Sequence, residues 1–226
     1  MSARDTQNPE NSRRPGRPKK AAANPETRER LIDTALEIFA HQDVAETSLN
    51  AIAKAAGVTP AMLHYYFHSR EQLLDVIVEQ RFMPLRNQLT AIFIGHPEDP
   101  RQALREMVIT LAQLAGKFPW FPRLWLQNIE GGAELLRQHM HARVGDAAHS
   151  PAMETLRRWQ QQGKLNPDLV PELVFPTLLS LILIPMARLS QPAGDGQRPL
   201  PSVEKIVAHA LSLLDNGMFT ARQGGQ

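Results

Sequence analysis

The segment Ser48–Phe67 reads SLNAIAKAAGVTPAMLHYYF and predicts two short helices joined by a tight turn. Ser48 can cap the first helix, and Gly57 supplies the left-handed residue that often follows a helix end. Thr59 followed by Pro60 is typical of a second helix start, because Pro at the first helical position loses no hydrogen bond. The apolar side chains repeat at helical spacing: Leu49, Ile52, Ala53, Ala56, Leu63 and Phe67. Two such helices make a helix-turn-helix, whose second helix can enter the major groove of DNA.

Motif residues extend on both sides of this segment, over residues 30–74. They are Ala35, Leu36, Phe39, Ala40, Thr47, Ser48, Leu49, Ile52, Ala53, Ala56, Gly57, Val58, Thr59, Leu63, His64, Tyr65, Tyr66, Phe67, Ser69, Arg70, Glu71 and Leu73. In this order they resemble the DNA-binding domain of the TetR family of bacterial repressors. The resemblance implies an all-α fold, with a three-helix helix-turn-helix domain followed by a larger helical ligand-binding and dimerisation domain.

The sequence departs from the family pattern at two places. The family usually has Gly and then an aromatic residue between its first two helices, where this chain has Asp43 and Val44. Asp adopts left-handed backbone geometry more readily than most residues, so we expect the turn to persist. The family's usual Tyr is His64 here, and an imidazole can still donate a hydrogen bond to phosphate.

The resemblance also assigns DNA contacts to individual residues. Base contacts fall on Asn50, Pro60, Ala61, Met62 and His64. Phosphate contacts fall on Ser48, Thr59, Tyr65, Tyr66 and Arg70. The apolar start of the second helix favours thymine methyl groups over bidentate recognition of guanine, and Asn50 could pair with adenine. For Tyr66 the alternative is packing in the core.

Positive charge is concentrated near the N-terminus. The net charge is +2, and residues 11–20 alone carry +5 through Arg13, Arg14, Arg17, Lys19 and Lys20, so the rest has 20 basic against 23 acidic residues. Residues 1–25 are polar, and we expect them to be disordered when free. The run RRPGRPKK resembles an AT-hook, which lies in the minor groove of A·T-rich DNA. The alternative is a solvated basic tail that attracts phosphate without specificity.

The rest of the chain predicts helices throughout. We expect the DNA-binding domain over residues 26–71, with its first helix at Thr27–His41, a regulatory and dimerisation domain over residues 72–220, and a tail at 221–226. A fourth helix should run from Ser69 or Arg70 to about Ile94, and Pro84 should kink it, either as a lever between the domains or as a static bend. Residues 173–187 carry no charge, yet fifteen residues fall short of the roughly twenty that span a bilayer. We expect this helix to be buried between a pocket and a partner subunit.

The regulatory half matches no motif, so its site is predicted from side-chain type alone. Large side chains could line an apolar pocket or fill an ordinary core: Phe118, Trp120, Phe121, Trp125, Met140, Trp159, Phe175 and Met186. Polar anchors could come from Arg123, Gln127, Arg137 and His139. We expect a hydrophobic or weakly acidic effector. The resemblance further implies that the last two long helices join a second subunit in a two-fold dimer, and hence a palindromic operator.

Several function classes find no support in the sequence. The chain has no cysteine, which excludes disulfides and thiolate chemistry and fits a reducing compartment. No apolar run follows the basic residues, so we expect no secretion signal and a cytoplasmic protein. His139 and His141 are two apart and point to different faces, which makes a poor metal pair, and no catalytic motif occurs. We therefore expect neither metal, cofactor nor enzyme activity.

The sequence-based hypothesis is a ligand-responsive DNA-binding repressor. The first alternative is an architectural protein whose basic arm binds A·T-rich DNA while the body only dimerises. The second is a helical enzyme or carrier with a vestigial helix-turn-helix.

Overall fold

The computed structural model describes residues 24–129, 134–144, 150–189 and 201–219, and within them every regular element is helical. The predicted all-α fold is confirmed. The helices are α1 (Pro25–Phe39), α2 (Leu49–Ala55), α3 (Pro60–Tyr66), α4 (Arg70–Ile77), a π-helical segment (Val78–Phe82), α5 (Met83–Gly95), α6 (Pro100–Lys117), α7 (Trp120–Ile129), α8 (Glu134–Val144), α9 (Pro151–Gln161), α10 (Pro171–Leu189) and α11 (Val203–Gly217). The predicted basic arm up to residue 23 and the tail at 221–226 lie outside the described residues.

The first three helices enclose one apolar core. Ile32 and Leu36 on α1 are fully buried, as are Ile52 on α2, Leu63 on α3 and Phe67 just after it. The apolar spacing predicted this arrangement. Helix α1 begins and ends two residues earlier than expected, because Asn24 caps it, its side chain accepting a hydrogen bond from the Glu26 amide at 3.0 Å.

The turn between α1 and α2 differs from the expectation. Among the described residues, positive φ occurs only at Gly57 and Gly163, so the prediction of a left-handed Asp43 is wrong. The Asp43 carboxylate instead accepts a hydrogen bond from the Ala45 amide at 2.8 Å, and its carbonyl accepts one from the Thr47 hydroxyl at 2.9 Å. Val44 is fully buried. The turn is therefore closed by these side-chain bonds together with backbone bonds from the Glu46 and Thr47 amides to the Asp43 carbonyl, and not by left-handed backbone.

The helix that leaves the DNA-binding domain is continuous but changes its winding. Helix α4 passes into the π-helical segment, and Pro84 then stands in the first turn of α5. A proline ring collides with the carbonyl four residues earlier, which here belongs to Gln80. Gln80 lies inside the π-helical segment, whose wider turn accommodates this conflict. The predicted interruption is present, and it takes the form of a π-helical segment before the proline.

Helix α10 is longer than predicted. Its 19 residues are long and apolar enough to cross a membrane by length and composition, so the expectation that it is too short is wrong. It packs against α6, α7, α9 and α11. In the single chain it is not buried on all sides, since Leu173 is 58% and Ile184 43% exposed.

Candidate DNA-binding surface and effector cavity

The two helices of the predicted motif begin at capping side chains. The Ser48 hydroxyl accepts a hydrogen bond from the Ala51 amide at 3.1 Å, and the Thr59 hydroxyl accepts one from the Met62 amide at 3.3 Å. Gly57 has φ of +68° between them. Each capping hydroxyl accepts here and keeps its own proton available to donate to a phosphate. The caps predicted from the sequence are confirmed.

One side of α3 is open to solvent while the opposite side holds it to the core. Pro60, Ala61 and His64 are exposed, and Tyr65 is 58% exposed, which is unusual for so large a ring. Met62 is half-buried, and Asn50 on α2 is exposed. The residues predicted to contact bases are therefore accessible, with Met62 the least so. Their contacts with DNA stay a prediction.

Two residues predicted to contact phosphate already have partners within the domain. The Tyr66 hydroxyl accepts a hydrogen bond from the Asn24 amide at 2.8 Å and donates one to the Asn24 carbonyl at 3.1 Å. A guanidinium nitrogen of Arg70 donates to the Ala45 carbonyl at 2.7 Å. Arg70 keeps further N–H donors for a phosphate, whereas both functions of the Tyr66 hydroxyl are in use.

A cavity of about 580 Å³ lies in the second half of the chain. Its walls come from the π-helical segment and from α5, α6, α7, α8, α9 and α10. Most of the lining side chains are apolar: Phe82, Met83, Leu85, Leu89, Phe93, Met107, Phe121, Trp125, Met140, Ala152, Met153, Phe175, Pro176 and Leu179. The size and the apolar lining match those of sites for drug-sized molecules.

The structure separates the predicted ligand-binding residues into two groups. Phe121, Trp125 and Phe175 line the cavity, while Phe118, Trp120, Arg123, Gln127 and Trp159 do not. Trp159 is fully buried, and its indole donates to the Pro97 carbonyl at 2.7 Å, so it is a structural residue. Arg123 contacts the His41 ring at 2.6 Å, which ties α7 to the end of α1. The spacing Phe82, Leu85, Leu89, Phe93 is a helical stripe that could have revealed the missed wall.

Among the few polar groups of the cavity wall, some have hydrogen-bond partners and others have none in the described part of the chain. Glu172 accepts a hydrogen bond from Arg157 at 2.7 Å, and this bond lowers the pKa of the Glu172 carboxyl. Arg86 is half-buried and forms neither an ion pair nor a hydrogen bond among the described residues. The indole nitrogen of Trp125 is buried and has no hydrogen-bond partner in the described part of the chain.

Comparison with known proteins identifies the segment that contains the helix-turn-helix. Residues 31–77 match the family model for bacterial regulatory proteins of the tetR family. This segment is a TetR-type DNA-binding domain. The chain is 37% identical over 143 residues to the probable acrEF/envCD operon repressor of Escherichia coli K12, which covers 61% of this chain and 64% of that protein. It is also 39% identical over 87 residues to the transcriptional regulator AcrR of Shigella flexneri, covering 37% of this chain and 39% of that one.

The overall fold matches those of solved transcriptional regulators over most of the chain. The ketosteroid transcriptional regulator KstR2 of Mycobacterium tuberculosis superposes with a TM-score of 0.61, covering 86% of this chain and 95% of the other at 16% identity. NalD of Pseudomonas aeruginosa superposes with a TM-score of 0.59, covering 88% and 98% at 23% identity. The chain matches between 34% and 64% of the length of the curated relatives named here and of SrpR from Pseudomonas putida. At these identities the superpositions establish the fold alone.

Ionisable side chains join a helix of the cavity wall to the helix that leaves the DNA-binding domain. On α8, His139 contacts Asp75 of α4 at 2.9 Å, and Arg143 contacts Glu79 of the π-helical segment at 3.2 Å. Met140, next to His139, lines the cavity. The predicted anchor His139 therefore faces α4. Both partners, Asp75 on α4 and Glu79 on the π-helical segment, are acidic residues of a kind that usually faces solvent, so the sequence alone does not reveal these contacts.

A second set of ion pairs joins the π-helical segment to α1. Arg81 contacts Glu29 at 2.7 Å and Asp33 at 2.9 Å. The hydrogen bond from Arg81 lowers the pKa of Glu29, against the opposing effect of burial. Phe82, the next residue, lines the cavity. The cavity wall and the support of the DNA-binding domain are thus neighbouring residues of one segment.

Proposed function

We propose that the protein is a homodimeric repressor that leaves a palindromic operator when an apolar effector fills the cavity. One observation carries this proposal: the helix that supports the DNA-binding domain continues directly into the cavity wall. Arg81 holds α1, and Phe82 beside it borders the cavity. A molecule that moves this wall therefore acts on the position of α3.

DNA would be bound by the exposed side of α3 together with the N-terminal arm. In this proposal Asn50, Pro60, Ala61, Met62 and His64 face bases, and Ser48, Thr59, Tyr65 and Arg70 face phosphates. Arg13, Arg14, Arg17, Lys19 and Lys20 add charge that neutralises further phosphates. The exposure of His64 and Tyr65 supports this, because Tyr65 is 58% exposed even though the edge of one ring packs against the other in the Tyr65–Tyr66 pair, so most of its ring is open to a partner.

A second copy of the chain would pack on α10 and α11. These helices contact each other and carry exposed apolar side chains, with Leu173 58%, Ile184 43% and Leu213 47% exposed. Covering such a surface with its own symmetry mate removes apolar area from water and places two recognition helices about a two-fold axis. That arrangement selects an operator with two inverted half-sites.

Effector control would work by a population shift. The ion pairs from Arg143 to Asp75 and Glu79, together with the His139 contact to Asp75, stabilise one position of α4 relative to the cavity. An effector that binds better when α8 or the π-helical segment is displaced favours dimers whose α3 helices no longer match successive major grooves. Operator affinity then falls by the ratio of the effector's affinities for the two states.

The names of two similar proteins support repression rather than activation. One is a probable repressor of the acrEF/envCD operon, and NalD is described as the secondary repressor of the MexAB-OprM multidrug efflux pump. A repressor acts where the DNA lies, which supports the expected cytoplasmic location.

The experiment that tests the proposal is selection of genomic fragments by the purified protein, followed by sequencing of the bound DNA. The expected result is an inverted repeat whose half-sites are spaced by about one helical turn, roughly 34–36 Å, or a multiple of it. Enrichment of A·T-rich fragments without a repeat would overturn the proposal in favour of the architectural protein. Absence of any enrichment would favour the carrier or enzyme.

A further inference from the structure

We infer that the effector cavity recognises an anionic amphiphile, a molecule with an apolar body and a carboxylate-type group, through Arg86 and Trp125. This inference rests on the proposed function, because it names the chemistry of the ligand for that cavity. It is carried by the hydrogen-bond donors of the cavity wall that lack partners.

The first such donor is Arg86 on α5. It lies between Leu85 and Leu89 in the apolar stripe of the wall, is half-buried, and has no acid or acceptor bound among the described residues. A guanidinium presents up to five N–H donors, and an unpaired one beside an apolar cavity gains from an anionic partner. Thr90, one turn further along α5, also lines the cavity and makes no side-chain hydrogen bond within the described chain.

The second donor is the indole nitrogen of Trp125 on α7. It is buried and unpaired, although a buried N–H without an acceptor costs roughly 1–3 kcal/mol. An indole only donates, so the group that satisfies it must be an acceptor. Trp125 lines the same cavity as Arg86.

The acid of the cavity wall does not cancel this preference. The Glu172 carboxylate is bound by Arg157, which lies outside the wall, so its charge is already compensated. Arg137 and His141 on α8 add further basic character. A cationic ligand would meet an unpaired Arg86 and no free carboxylate on the described wall.

Calorimetry with a matched series of ten-carbon probes tests this inference: decanoate, decanol and decyltrimethylammonium. We expect decanoate to bind at least tenfold more tightly than decanol, and the ammonium compound to bind most weakly. In Arg86→Met the decanoate affinity should fall to the decanol value while decanol binding stays the same. Arg86→Lys should keep part of the preference, which separates loss of charge from loss of packing.

Two results would overturn the inference. One is equal or tighter binding of decyltrimethylammonium to the wild type, and the other is an unchanged decanoate affinity in Arg86→Met. Failure of all three probes to bind would also overturn it. None of these results bears on fragment selection, so the proposed DNA binding fails or stands separately.

A second inference comes from a different contact. The structure assigns Tyr66 the role of a positioning residue that holds the root of the basic arm beside the recognition helix. Its hydroxyl binds both backbone polar groups of Asn24, at 2.8 and 3.1 Å. Tyr66 ends α3, and Asn24 is the capping residue from which the chain leaves α1 towards the arm.

The length of chain between Asn24 and the basic residues is compatible with the arm and α3 binding the same DNA site. Lys20 is four residues from Asn24 and Arg17 is seven, so an extended chain reaches roughly 13 and 23 Å at about 3.3 Å per residue. A segment of this length is long enough to span from Asn24 to the minor groove next to the major groove that α3 would enter, the groove that N-terminal arms of homeodomains occupy. When Tyr66 already fixes the residue at which the arm begins, the arm loses less conformational entropy on binding DNA.

A double-mutant cycle on the selected operator tests this role. The four proteins are the wild type, Tyr66→Phe, a deletion of residues 1–20, and the combination. We expect Tyr66→Phe to weaken binding at least fivefold in the full-length protein and to change nothing in the deletion, since the hydroxyl then has no arm to position. Tyr65→Phe is the matched control and should cause the same loss in both backgrounds.

An equal loss from Tyr66→Phe in both backgrounds would overturn the inference and make the hydroxyl a direct phosphate contact. An unchanged affinity in the full-length protein would also overturn it. A wild type without preference for the operator over a shuffled sequence would contradict the proposed function instead.

Discussion

The DNA-binding half of this protein, which holds the helix-turn-helix, and the half that holds the cavity differ in what a side chain does at the surface of its helix. On α3 the residues proposed to contact DNA point away from the core, and the core residues Leu63 and Phe67 lie on the opposite side. Around the cavity the same apolar side chains both pack the domain and form the surface proposed to bind an effector. A substitution can therefore separate stability from binding in the first half far more cleanly than in the second.

The largest expected effect comes from a substitution in the apolar core that α1, α2 and α3 enclose. Phe67 is fully buried, so Phe67→Ala should lower the free energy of unfolding by about 3–5 kcal/mol. Chemical denaturation followed by circular dichroism measures it. The neighbouring Tyr65→Ala is the control and should change stability by less than about 0.5 kcal/mol. Similar stability losses in the two variants would break the comparison.

The next effect concerns DNA and should leave the fold intact. His64→Ala and Tyr65→Ala each remove one predicted contact, and a contact of this kind is worth about 1–3 kcal/mol. Operator affinity should fall about tenfold to a hundredfold in each, as read by fluorescence anisotropy, with an unchanged melting temperature. Wild-type affinity in both variants would contradict the docking of α3.

A smaller effect is expected where the two halves meet. Combining His139→Leu with Arg143→Met removes the contacts from α8 to Asp75 and Glu79. An effector found by screening the wild-type complex should still bind this variant, yet release DNA less, with a coupling loss of about 1 kcal/mol. Calorimetry for the effector and anisotropy for DNA separate the two quantities. Unchanged coupling would mean that these ion pairs do not transmit the effector's binding.

The smallest effect is a dependence of stability on pH. Arg81 lowers the pKa of Glu29, so the ionised carboxylate stabilises the fold above the ordinary Glu pKa, and this contribution disappears as the pH falls through the lowered value. Glu29→Gln should cost a fraction of 1 kcal/mol at neutral pH, since the pair is partly exposed, and nothing once the pH is well below the lowered pKa of Glu29. Glu37→Gln, on the same helix and without an ion pair among the described residues, should show no such trend.

The sequence predicted the DNA-binding half well because its determinants are local. Ser48, Gly57 and Thr59 act within three or four residues of their own position. The spacing of apolar residues from Leu49 to Phe67 indicates which side of each helix is buried. The exception, Asp43, also has a local cause, because its carboxylate can close the turn without left-handed backbone.

The cavity could not be located in the same way. Trp125 and Trp159 look alike in sequence, yet one borders the cavity and the other donates to the Pro97 carbonyl, 62 residues away. Which face of an apolar helix meets a cavity depends on how seven elements pack together, and a stripe such as Phe82, Leu85, Leu89 and Phe93 marks a buried face without distinguishing a cavity wall from a filled core. Arg86 was missed for the same reason, since a single charge in an amphipathic helix normally indicates solvent.

The measurement that tests the central claim most directly is the affinity of the purified protein for the selected operator and for a shuffled fragment of equal composition. Fluorescence anisotropy at several salt concentrations gives both dissociation constants and their salt slopes. We predict a preference of about a thousandfold or more for the operator, in the range of specific regulators. Equal and steeply salt-dependent binding to both fragments would contradict the account and leave the basic arm as the main contact with DNA.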